Sequence, residues 1–157
     1  MSAREFFDKY LLPNFKEWER QPLDERFAMN ATVSANQMAD WFFKNLERES
    51  KLPNGVKNIK GFRDFLVAQE CSDFQIAWDI ADAHKHFELD RQTANVKAAH
   101  QTSQGALGWG QGGYGEGVYG GGPQIVVDFG NGKKRALSAP ILKVVEMWVR
   151  LLSQNAW

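Results

Sequence analysis

The sequence predicts a mainly α fold, a helical bundle completed by a small C-terminal antiparallel β-hairpin or three-strand sheet. Three observations carry that prediction. Apolar residues recur every three or four positions through several long windows, the period of a helix with one buried face. Near the C-terminal end, QIVVDF is followed by Gly130-Asn131-Gly132 and a short return run, the pattern of two strands joined by a tight turn. Between these regions lies a stretch so rich in glycine that neither helix nor strand is expected there.

The elements follow in order along a single expected domain, 1–157. Residues 2–12 form a short amphipathic helix, with Ser2 and Glu5 in capping-box spacing and Phe6, Tyr10 and Leu11 near one face. Pro13 ends or bends it. A further helical piece at 14–20 carries Phe15 and Trp18. The longest helix is 24–50, where Phe27, Ala31, Ala35, Met38, Phe42 and Leu46 make the stripe and small residues invite close approach of a neighbour. Leu52-Pro53-Asn54-Gly55 is a turn. A shorter helix, 59–69, is anchored by Phe62, Phe65 and Leu66.

The helix at 73–91 holds most of the chemistry. Ser72 and Gln75 are spaced for a capping box at its start. On a helical wheel Phe74, Ala77, Trp78, Ile80, Ala81, His84 and Phe87 share one arc, and Gln75, Asp79, Asp82, His86 and Asp90 the other. Residues 93–103 read as a weak strand. The glycine-rich loop 105–122 holds ten of the fourteen glycines and is expected to be mobile. The hairpin spans 124–137. A last helix, 139–154, starts with Pro140 in its first turn and is apolar over most of its circumference.

Composition narrows the function. Of 157 residues, 43% are hydrophobic and 13% aromatic, including six Trp and eleven Phe, so a core forms without disulfides. The formal net charge is zero, which argues against nucleic-acid binding driven by bulk charge. Charge is uneven, with three Lys/Arg against seven Asp/Glu in 61–92 and six against three in 93–157. Cys71 is the one cysteine; it suits a reducing compartment and reads as a buried small residue at a helix junction. The run MSAREFFDKY has no apolar stretch of signal-peptide length, and no apolar run reaches the roughly 20 residues that span a bilayer. A cytoplasmic protein with no membrane partner is the expectation.

Several constellations offer chemistry. His86 stands four residues from both Asp82 and Asp90, with Asp79 a further turn back, so carboxylates flank an imidazole. Such an arrangement favours the imidazolium and serves a general acid or base, with Arg91 or Lys85 near a phosphate. The plainer alternative is a solvated, salt-bridging face. No Cys ligand set, H-E-x-x-H or second E-x-x-H helix supports a metal, and no cofactor is expected. His84, with Ile80, Ala81 and Phe87 around it, reads as a core histidine bonded to a backbone acceptor. In the loop, Trp109, Tyr114 and Tyr119 recur every five residues and suit stacking on a partner, although the loop carries no Arg or Lys. Lys133-Lys134-Arg135 is a basic cluster that either touches phosphate or guards an edge strand. There is no phosphate loop and no dinucleotide fingerprint within a strand–helix unit, so no nucleotide cofactor is expected.

The run Asp79-Ile80-Ala81-Asp82-Ala83-His84-Lys85-His86-Phe87-Glu88-Leu89, the WGQGGYGEGVYGGGP loop, the hairpin and the final helix with Met147-Trp148 resemble a group of small uncharacterised bacterial proteins. The central helix also resembles that of HEPN-like helical domains. That resemblance implies a HEPN-like bundle, often dimeric, whose active members are metal-independent ribonucleases of toxin or phage-defence type. They place an Arg before a catalytic His with four to six residues between the two. Counting back from His84 or His86 reaches Ala77, Trp78, Asp79, Ile80 or Ala81, none of them Arg.

Two functional classes follow. The first is a binding or regulatory module acting through a protein partner or a homodimer. The second is a HEPN-like ribonuclease acting on RNA, with His86 as general acid or base. The missing Arg favours the first.

Overall fold

A computed structural model describes residues 1–86, 89, 92–107 and 122–154. The chain is mainly α with a small three-stranded antiparallel sheet, as the hydrophobic periods require. Helix α1 (Ala3–Phe6), a wide π turn (Phe7–Leu11) and α2 (Leu12–Arg20) run on without a break. Pro13 therefore does not end the first helix. It falls in the first turn of α2, where its missing N–H is tolerated, just after the π turn closed by Leu12 N–H on the Phe7 carbonyl. The Ser2–Glu5 capping box forms in both directions, at 3.1 and 2.7 Å.

Helix α3 (Glu25–Arg48) is capped by Asp24, whose carboxylate accepts from the amides of Arg26 and Phe27. Helix α4 (Ile59–Phe65) continues into a second π turn (Leu66–Glu70), and Cys71 then turns the chain towards α5 (Phe74–His86). A 3-10 turn (Ala99–Gln101) leads to β1 (Thr102–Gly105), followed by β2 (Gln124–Asp128), β3 (Lys134–Ala136) and α6 (Ser138–Gln154). The sheet order is β1-β2-β3, all antiparallel, with Gly105 opposite Gln124 and Asp128 opposite Lys134. Gly130 and Gly132 take positive φ, +74° and +79°, as the hairpin turn needs. Among the described residues no helix is long and apolar enough to cross a membrane.

Trp148 lies at the centre. It is fully buried, and its ring meets Phe42 of α3 at 5.6 Å and Phe74 of α5 at 6.0 Å. Its indole N–H donates to the Ala35 carbonyl in the middle of α3 at 3.0 Å. Reaching that carbonyl requires α6 to sit close on α3. The fully buried Ala28, Ala31, Ala35 and Ala39 make that approach possible.

Four local expectations are corrected. The capping box at Ser72 does not form: the Gln75 side chain turns forward and donates to Asp79 at 2.6 Å. The central helix does not reach residue 91, because by Leu89 the chain has left helical geometry and Leu89 N–H donates to the Lys97 carbonyl. The weak strand expected at 93–103 begins only at Thr102; the chain before it is a docked segment held by Gln101, whose Oε1 accepts from the Lys97 and Ala98 amides. Helix α6 is amphipathic rather than buried all round, since Leu142 and Val149 are exposed beside Lys143, Glu146 and Arg150.

The position of Trp148 sets a stability test. Trp148→Ala is expected to cost about 3–5 kcal/mol through the cavity and the lost indole hydrogen bond, and Val149→Ala one residue away no more than about 0.5 kcal/mol. Urea unfolding midpoints of the two variants check this.

Candidate functional site

The acidic stripe does not face solvent along its whole length. Asp79 is fully buried. Its Oδ2 accepts from the backbone amides of Asn95 at 2.6 Å and Val96 at 3.3 Å, and its Oδ1 from the Gln75 side chain. The segment 94–98, with Ala94, Val96 and Ala98 buried, covers the side of α5 that a wheel alone assigns to water. Asp79 is thus an anchor for this segment and not a member of an exposed histidine site. A buried carboxylate is tolerated when hydrogen bonds replace its water, and Asp79 has three here.

Of the two histidines, one departs from expectation. His84 is exposed, not in the core. Its Nδ1 donates to the Ile80 carbonyl one turn back at 2.9 Å, so the backbone partner is present and Nε2 stays available. His86 is the exposed last residue of α5. Asp82 is half-buried. Asp90 and Arg91 lie outside the described residues, as do Phe87 and the loop aromatics Trp109, Tyr114 and Tyr119.

The basic run at the hairpin is not one patch. Successive side chains of β3 point to opposite faces. Lys134 pairs with Asp128 across the sheet at 3.5 Å, Arg135 turns to the start of α5, and Lys133 is exposed in the turn. Arg135 grips Asp73 through two bonds, 2.6 and 3.3 Å, and Lys143 of α6 adds a contact at 3.4 Å. Burial pushes the Asp73 carboxyl up, but the Arg135 bonds and charge, with Lys143, outweigh it and hold it below its ordinary value. This pair borders a cleft of about 740 Å³ that also involves Asn95, Lys97 and Phe129. A carboxylate of the protein already occupies the positive part of that cleft.

A different cleft, of about 550 Å³, opens between α3, α4 and α5. Its walls carry Asn36 and Asp40 from α3, Arg63 from α4, and Asp82, His84 and Lys85 from α5. Arg63 is held on two sides: Nη2 donates to Asp40 Oδ2 at 2.8 Å, and the guanidinium lies over the Trp78 ring at 5.6 Å. Its Nε is buried without a hydrogen-bond partner among the described residues. Asn36 is only 6% exposed, and its Oδ1 likewise has no partner there. An unpaired buried polar group costs about 1–3 kcal/mol, so two in one cleft call for an explanation.

Sequence reasoning missed Asn36, Asp40 and Arg63. A signal for Asn36 was present. It lies on the same face of α3 as Thr32, Ala39 and Phe43, all buried, and a carboxamide in such a row has to find a use. Arg63 carried no such signal, because only the packing of α4 brings it to His84. Among the described residues no group of three or more His, Cys, Asp or Glu is placed to hold a metal ion.

Two tests follow from the acidic anchors. Asp79→Ala is expected to cost about 2–4 kcal/mol and to speed amide hydrogen exchange at Asn95 and Val96 well above the rest of the chain, as read by mass spectrometry or NMR. Asp73 has a folded-state pKa below the unfolded one, so its stabilisation is present above about pH 4 and is lost as pH falls through the folded value. Asp73→Asn should therefore lower the urea midpoint at neutral pH, by an amount that shrinks as pH falls below about 4.

Compared with protein-family models, with curated proteins and with solved structures, the chain matches none of them.

Proposed function

We propose that the protein is a helical binding or regulatory module that engages a protein partner or a second copy of itself through the α3–α4–α5 cleft. The observation that carries this reading is the buried, unpaired Asn36 acceptor in a cleft whose mouth holds both signs of charge. A buried polar group without a partner among the described residues calls for one from elsewhere. Asp40 and Asp82 balance Arg63 and Lys85, so the cleft suits a polypeptide of mixed charge better than a polyanion.

A second reading keeps the resemblance to HEPN-like ribonucleases. Arg63 lines the same cleft as His84 and would supply the cation missing from the central helix. In this reading His84, with its available Nε2, takes the general acid–base role in place of His86, and Arg63 and Lys85 meet the phosphate. Asp40 and Asp82 weigh against it by opposing the approach of an RNA backbone.

Two measurements separate the readings. Purified protein incubated with bulk RNA, with and without Mg²⁺ or Mn²⁺, is expected to leave it intact; cleavage that disappears in His84→Ala would replace the binding reading with the ribonuclease one. Sedimentation velocity from about 1 to 100 μM is expected to show self-association that Lys85→Glu weakens roughly tenfold, by about 1.4 kcal/mol.

A further inference from the structure

We propose that Asn131, in the turn between β2 and β3, is a site of spontaneous covalent modification. Gly132 closes on its side chain to form a succinimide, and water opens the ring to aspartate or isoaspartate. The co-reactant is water and no second protein takes part. The site lies apart from the α3–α4–α5 cleft and does not depend on the binding reading.

Asparagine is one of the thermolabile residues, and the residue after it controls how easily the ring forms. Closure brings that residue's backbone nitrogen against the asparagine Cγ. A side chain there obstructs the approach, and a hydrogen bond on the nitrogen withholds it. Of the asparagines in the chain, only Asn54 and Asn131 precede a glycine. Those in α2 and α3 are followed by amides held in the helix ladder. Asn58 is occupied as the cap of α4 and is followed by the β-branched Ile59. After Asn95, the Val96 amide donates to Asp79.

The surroundings of Asn131 favour the reaction. It is exposed, as are Gly130 and Gly132. A Cβ on Gly132 would meet nothing within 4 Å, and among the described residues the Gly132 N–H has no acceptor. Lys133 N–H donates to Asn131 Oδ1 at 3.1 Å. Negative charge gathers on that oxygen as nitrogen attacks Cγ, and the donor is already aimed at it. Asn54 has no such donor among the described residues. Its peptide with Gly55 sits inside a turn closed by Val56 N–H on the Pro53 carbonyl at 3.0 Å. The bond closing the Asn131 turn, Phe129 N–H to the Lys133 carbonyl, spans three residues, two of them glycine, which leaves more room to rotate.

The chemistry is redox-neutral. The Gly132 nitrogen gives its proton to water or hydroxide and bonds to Asn131 Cγ. The Cγ–Nδ2 bond breaks, Nδ2 takes up a proton, and ammonia leaves. Water then adds to one ring carbonyl, and the Gly132 nitrogen recovers a proton as its bond to that carbon breaks. Opening at Cγ gives aspartate. Opening at the main-chain carbonyl gives isoaspartate, whose backbone runs through Cβ and Cγ. Either product introduces a carboxylate at the cleft of about 740 Å³ that Lys97 and Arg135 also line. Isoaspartate also lengthens the connection between Phe129 and Lys133. Because ammonia escapes, the change accumulates with the age of each molecule.

The test incubates the full chain in mildly alkaline buffer, folded and in urea. Its peptides are followed by mass spectrometry with fragmentation that separates aspartate from isoaspartate. In the folded chain Asn131 is expected to convert about tenfold faster than Asn54, the rate factor of one aligned hydrogen bond. In urea the two rates should converge, since both asparagines precede glycine. Both acids should appear at 131, isoaspartate being the mark of the ring. Asn131→Gln, whose longer side chain must close a larger ring, should remain an amide over the same interval. Isoaspartyl chains should exchange the Phe129 amide hydrogen faster than unmodified ones. The proposal is overturned by an intact Asn131 in the folded chain, by earlier conversion of Asn54, by a ratio of the two rates that is the same folded and in urea, or by aspartate without isoaspartate at 131.

Discussion

The contact on which the rest of the structure depends is the indole N–H of Trp148 reaching the carbonyl of Ala35. A carbonyl inside a helix is already committed to the helix's own ladder, yet it keeps a second lone pair. To reach it, the indole must come in over a row of alanines, which fixes the height of α6 on α3. The same ring meets Phe42 and Phe74, so α5 is placed by that contact too. The sheet follows, because β3 runs directly into α6 and Leu137 N–H donates to the Ile125 carbonyl of β2. One buried polar bond thus ties three helices and the hairpin to a common origin. Its directionality adds what apolar contact alone lacks, a unique register.

Around that origin the acidic residues of the central helix do structural work. Asp73 joins α5 to β3 and to α6 through Arg135 and Lys143. Asp79 holds segment 94–98 by its backbone amides. Neither is spent on an exposed histidine. What the helix offers to the outside is its last turn and a half, with Asp82, His84, Lys85 and His86, and there α3 and α4 close the cleft over one flank. The candidate site is therefore made by three helices, with α5 supplying only part of it.

Much of the fold was legible because its signals are local. The stripe on α3, the Ser2–Glu5 cap, the Pro53-Asn54-Gly55 turn and the Gly130–Gly132 hairpin each depend on residues a few positions apart. The failures share one cause. Asp79 was assigned to water because nothing near it in sequence reveals that residues 94–98 return to cover it. Gln75 was given to Ser72 because its stronger acceptor, the buried Asp79 carboxylate, is visible only once that burial is known. Lys133, Lys134 and Arg135 looked like one charge cluster because adjacency in sequence hides the alternation of a strand. The sequence pointed to the histidine end of α5 and gave no sign of Arg63, which lines the same cleft, since the meeting of α4 and α5 is a tertiary event. Periodicity reports which residues share a face and is silent about what lies against it.

The pairing of Gly105 with Gln124 has a consequence for how such a chain can diversify. These two residues sit opposite one another on neighbouring strands, so the chain departs from β1 and enters β2 at the same end of the sheet. The pairing fixes the two ends of the connection. The entropic penalty of a longer excursion grows only with the logarithm of its length. On closure entropy alone, a connection of another length between the same two ends would cost the sheet little.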